Sequence, residues 1–226
     1  MADGLTVLED LHEKTVNILQ EFNELPDKDI RKSHLEIISS QVAVALVNLK
    51  INMRFAETSK DEFEEFFNSD QEQIGNYIHN FTQMLNESII ETALFQTELV
   101  FRFYYAQLNG TTLSEKESIP RMAAVLFQDT ENNWTKDEAA LIPLFWTLRN
   151  TIHTGGIYFD KTAGRSITYK GNLYKFEYGK APEFLKEGHS ITMVSDLLDS
   201  IRYLFKSDLI RNLGTFEHPS YNALGY

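Results

Sequence analysis

There is no cysteine in this chain. That excludes disulfides, thiolate zinc sites and a thiol nucleophile, and it suits a reducing cytosol. Long apolar runs are missing too. The run Val-Ala-Val-Ala-Leu-Val at 42–47 is among the longest, so no segment is expected to cross a bilayer. The first ten residues are acidic and lack an apolar stretch, so no secretory signal is expected. No glycine-rich phosphate loop and no Gly-x-Ser-x-Gly elbow occurs. No repeat, low-complexity segment or dividing linker breaks the sequence, so residues 1–226 read as a single domain.

Positive charge is also in short supply. The net charge is −12, which argues against generic polyanion binding. The deficit is local, however. Residues 1–100 hold 7 Lys and Arg against 19 Asp and Glu, whereas residues 101–226 hold 14 against 14. A basic contact surface is therefore expected only in the second half.

What the chain has in abundance is helical periodicity. Leu5, Leu8, Leu11, Val16, Ile18, Leu19, Phe22 and Leu25 recur at three and four, which predicts a helix over 5–25 stopped by Pro26. A second helix is expected from about Ile30 to Ala56. Its centre is apolar on most sides, so deep burial is expected. A short acidic helix capped at Ser59 follows. A long one then runs from Gln71 to Leu108 and ends at Asn109-Gly110. Further helices are expected over about 115–127, with Pro120 inside it or starting its second part, and over 136–154, capped by Thr135 with Glu138 three residues on. Residues 165–178 alternate and carry Gly171-Asn172, a two-residue turn signal, so a β-hairpin is expected there. A last amphipathic helix begins near Ser190, and the tail after Gly214 is expected to be irregular. The fold class is all-α, with a small hairpin inserted before the last helix.

The densest chemistry lies at 148–156, Leu-Arg-Asn-Thr-Ile-His-Thr-Gly-Gly. On a helix, Arg149 and His153 share one face. Gly155 and Gly156 end the helix, which puts His153 in its last turn. An Arg–His pair suits phosphodiester chemistry on RNA. The guanidinium can clamp phosphate oxygens, and the imidazole can move a proton at the 2′-hydroxyl or the leaving oxygen. Neither role requires a metal or a cofactor. The plain alternative is a helix end whose histidine bonds the last carbonyls.

Arg-Asn-x-x-His near the end of a late helix in an all-helical domain resembles the signature of the HEPN superfamily. Many of its members are metal-independent ribonucleases of toxin–antitoxin, abortive-infection and CRISPR systems; others are non-catalytic RNA- or nucleotide-binding modules. The resemblance implies that Arg149 and His153 are catalytic and that Asn150 shapes the site. It also implies a homodimer in which two motifs meet, RNA as substrate, and an antitoxin or other protein as a possible partner. Three residues separate Arg149 from His153, one fewer than the family's shortest spacing. A non-catalytic module that binds a protein through its acidic first half is the alternative implied by that departure.

Two further features bear on function. Residues 160–180 carry Lys161, Arg165, Lys170, Lys175 and Lys180 against Asp160 and Glu177. Tyrosines interleave with them, so Lys170, Lys175, Tyr169 and Tyr174 are expected to contact RNA; the plain alternative is a lysine-protected hairpin edge. Glu98 and Arg102 lie one turn apart and read either as an ion pair on one helix or as a support for the Arg149/His153 site. Glu9-x-x-His12 has the spacing of a di-metal helix, but its second copy is missing, so no metal site is expected.

Overall fold

A computed structural model describes residues 2–58, 60–67, 70–111, 117–128, 136–160, 164–183 and 189–219. The elements are α1 (Ala2–Gln20), α2 (Ile30–Thr58), α3 (Lys60–Phe67), α4 (Gln71–Asn109), α5 (Ile119–Leu126), α6 (Lys136–His153), β1 (Gly164–Tyr169), β2 (Asn172–Glu177), α7 (His189–Lys206) and α8 (Asp208–Leu213). The fold is all-α with one antiparallel hairpin ahead of the last two helices.

The long helix α4 is the spine, packed against α2, α5, α6, α7 and α8. Its start is capped by Asp70, whose side chain accepts from the Gln73 backbone at 2.9 Å while the Gln73 side chain accepts from the Asp70 backbone at 3.1 Å. Gly110 ends it at φ 60, a left-handed stop that only glycine adopts cheaply. Leu8, Leu11, Leu35, Ile38, Phe101, Tyr104, Phe145 and Phe205 meet in one continuous core. The expected caps at Ser59 and Thr135 and the expected helix start at 115 lie outside the described residues.

Five expectations are corrected. Helix α1 stops at Gln20, because residues 21–25 tighten into bonds such as Phe22 N–H to the Leu19 carbonyl at 3.0 Å. That turn lets Phe22 face inward onto Phe205. Helix α2 buries only one side: Val42, Ala45 and Leu49 are covered, but Val44, Val47 and Ile51 stand more than half exposed. The same helix meets the length and mean hydropathy of a bilayer span over Ile30–Phe55, contrary to the reading that no segment does. The last helix is broken in two at Ser207, whose hydroxyl accepts from the Ile210 backbone at 3.3 Å and starts α8. The hairpin turn is Lys170-Gly171, with φ 47 and 76, so Asn172 belongs to β2 and pairs with Tyr169. Two left-handed residues match the twist of the flanking strands.

Residues 215–218 lack regular structure but are fastened to the body of the protein. Phe216 packs edge-on against Phe103, its carbonyl accepts from the Ile30 backbone at 2.8 Å, and His218 donates its backbone to the Lys28 carbonyl at 2.9 Å. His218 is buried beside Gln96, with Nε2 and Oε1 3.2 Å apart. Nearby, His34 is fully buried against the ring of Phe205. Burial pushes its pKa down to about 3; the adjacent Gln96 backbone opposes the shift and His218 adds to it. Burial lowers the His218 pKa as well.

Candidate functional site at the end of α6

Helix α6 stops because its last carbonyls are used up locally. The Gly156 backbone donates to the Thr151 carbonyl at 2.9 Å, and Gly155 donates to the Ile152 carbonyl at 2.9 Å. Both glycines hold positive φ, 72 and 81. The Thr154 hydroxyl lies within hydrogen-bond reach of the carbonyls of Asn150, Thr151 and Ile157 and donates its one proton among them. With the helix end satisfied this way, His153 is left exposed as the last helical residue.

Arg149 is held from three sides. One guanidinium nitrogen lies 3.3 Å from Glu98 Oε2 on α4. The planar group sits over the Trp146 ring, 4.9 Å from its centroid. A second nitrogen donates to the Asn150 side-chain oxygen at 3.3 Å. Glu98 also accepts from Arg102 through Oε1, at 2.9 and 2.7 Å. One carboxylate thus serves two guanidinium groups, and the trio keeps one net positive charge. Both expectations for Glu98 hold together: it pairs along α4 and it positions Arg149.

Arg149, Ile152 and His153 open onto a cavity of about 450 Å³ between α6, α2 and α4, inside the range of roughly 300–1,000 Å³ typical of small-ligand sites. Ile37 and Gln41 from α2 and Glu91, Thr92 and Phe95 from α4 complete its walls. The Arg–His face is therefore open rather than packed inside the protomer. Sequence reasoning did not single out Phe95, Glu91 or Gln41. The available signal was the helical row Ser88, Glu91, Phe95 and Glu98 on α4, which shares a face only once the register of α4 against α6 is known.

The hairpin residues do not join this cavity. Tyr169 and Tyr174 are 3% and 8% exposed. With Ile167 and Phe176 they form the inner side of the hairpin, which β1 lays against α6. Their rings are therefore not platforms for a base, contrary to the stacking role expected for them. The Tyr169 hydroxyl and the Lys170 ammonium both bond Asp196 on α7, at 2.6 and 2.7 Å. Lys175 points outward. Lys161 lies outside the described residues. Among the described residues no group of three or more potential ligands gathers to hold a metal.

In comparison with known proteins, the chain matches no family model, no curated protein and no solved structure. The functional reading therefore rests on the Arg149/His153 geometry and the architecture around it.

Proposed function

We propose that this protein is a HEPN-like, metal-independent endoribonuclease of a defence or toxin-type system, acting in the cytosol as a homodimer. The observation that carries this reading is Arg149 and His153 opening onto one cavity at the end of α6, with the guanidinium braced by Glu98 and Trp146. A braced guanidinium loses little freedom on binding phosphate and presents its donors in a fixed fork. His153 takes the proton from a 2′-hydroxyl. The 2′-oxygen then bonds to phosphorus as the bond to the 5′-oxygen breaks, and the imidazolium returns the proton to the departing 5′-oxygen, leaving a cyclic phosphate and a 5′-hydroxyl end. Arg149 meets the charge that grows on the phosphate oxygens. Each role is worth about 10²–10⁴ in rate.

The test is cleavage of varied single-stranded RNAs by purified protein in EDTA. His153→Ala is expected to lower the rate by at least about 10², and Arg149→Lys, which keeps the charge but loses the fork, by about 10². Equal activity in all three proteins, or none in the wild type, would sink the claim.

The exposed apolar row Val44, Val47 and Ile51 on α2 supports the dimer. It continues onto Met84 of α4, one turn before Ser88, which accepts a bond from Gln41 at 2.6 Å across the helix pair. The same row favours a second reading, a non-catalytic module that docks a different protein there. Sedimentation separates the two: a dimer that Val47→Glu dissociates supports the first, and a monomer that retains a protein partner supports the second.

A further inference from the structure

We propose that the cavity beside Arg149 receives one unpaired guanine base of single-stranded RNA, stacked on Phe95 and read by Glu91. The assignment rests on the ribonuclease reading for the place of the phosphate, but the base pocket stands on its own observations.

Phe95 is 65% exposed, the most exposed of the large apolar side chains among the described residues, midway along a helix whose other side feeds the core. Its ring borders the cavity. A flat apolar surface open to water beside a guanidinium is what a base can stack on. Ile37 and Ile152 make the apolar part of the walls.

Glu91 lies four residues before Phe95 and so on the same face of α4. It is exposed, lines the same cavity, and makes no ion pair among the described residues. A carboxylate only accepts hydrogen bonds and repels phosphate. In a site for RNA its partners are donors, a sugar 2′-hydroxyl or the N–H groups of a base, and a base stacked on Phe95, one turn on, brings its edge to that carboxylate. Guanine offers two side by side, the ring N1–H and the exocyclic amine, which match the two oxygens of one carboxylate. Adenine and cytosine offer one amine on that edge, and uracil one ring N–H. Gln41 donates its amide to Ser88, which leaves its oxygen as a further acceptor on the same wall.

The phosphate faces the other way, towards Arg149 and His153 on α6. A base in a duplex has both its edge and its ring faces occupied, so the pocket selects single strands.

The test is fluorescence anisotropy with short labelled oligouridylates that carry one central G, A, C or U. Every sugar is 2′-O-methylated, so no strand can be cleaved and binding is read without catalysis. The wild type is expected to bind the G strand about tenfold tighter than the others. Phe95→Leu is expected to weaken binding of all four by about tenfold. Glu91→Gln should erase the preference for G while leaving the U strand bound as well or better. Both substitutions fall on exposed positions, so the fold is retained. Equal binding of the four strands overturns the guanine assignment, and unchanged binding by Phe95→Leu overturns the stacking, even if unmodified RNA is cleaved. Conversely, G-selective, Phe95-dependent binding by a protein that cleaves nothing upholds the base pocket and removes the ribonuclease reading. Failure to bind any strand overturns the base pocket, and cleavage of unmodified RNA decides the ribonuclease reading by itself.

Discussion

Glu98 divides its two oxygens between two arginines, and the consequences are local. Replacing it by Gln removes one anion from between two guanidinium groups that stay partly buried. The expected cost is about 1–2 kcal/mol of stability, read as a lower denaturation midpoint. The rate of RNA cleavage should fall further than the affinity for RNA, because Arg149 is still present but no longer held. His34 provides a second effect at this scale. Above about pH 6.5 its ring is neutral in both the folded and the unfolded chain. Between about 6.5 and about 3 the unfolded chain takes up a proton that the buried ring refuses. Stability therefore falls as the pH falls through that window, by up to ~1.4 kcal/mol per pH unit. His218 acts in the same direction. Urea midpoints at pH 7 and pH 5 measure the slope, and His34→Leu should flatten it. Neither histidine has a visible partner in the sequence, since Gln96, Phe205 and the tail that surround them come from distant elements.

At the scale of elements, the hairpin shows what alternation predicts and what it leaves open. The strands were legible, and so was the side shared by Ile167, Tyr169, Tyr174 and Phe176, because these alternate with polar neighbours; which way that side faces was not. The turn was misplaced by one residue, since Lys170-Gly171 and Gly171-Asn172 both offer a glycine. That single step moves every cross-strand partner by two, so Tyr174 faces Ile167 rather than Tyr169. Gly171→Ala is expected to cost about 1 kcal/mol, because φ 76 is strained for any residue with a Cβ. Phe176→Ala should cost about 3–5 kcal/mol, whereas Lys175→Ala, on the outer side, should stay within about 0.5 kcal/mol. Thermal melting separates these three. The two tyrosines could not be assigned from the strand alone. A half-buried strand reads the same whether its aromatic side faces a helix or a ligand.

For the whole molecule, the tail closes the structure. Residues 216–218 fasten the α1–α2 turn to α4 through Phe216, His218 and the bridge between Asp29 and Glu217. Ending the chain at Gly214 should uncover Gln96 and His34 and lower stability by about 3–5 kcal/mol, seen as an earlier melting transition. The sequence by itself determined where most of the helices lie, the ends at Gly110 and Gly155-Gly156, the strands of the hairpin, and the shared face of Arg149 and His153. These follow from periodicity and from glycine's freedom at positive φ, which act within a few residues. Only the tertiary structure decided that α2 buries one side and leaves Val44, Val47 and Ile51 exposed, that Tyr169 and Tyr174 turn inward, and that Phe95 and Glu91 border the Arg149 cavity. Those outcomes depend on which helix faces which. Packing sets that choice between elements distant in sequence, beyond the reach of any local pattern.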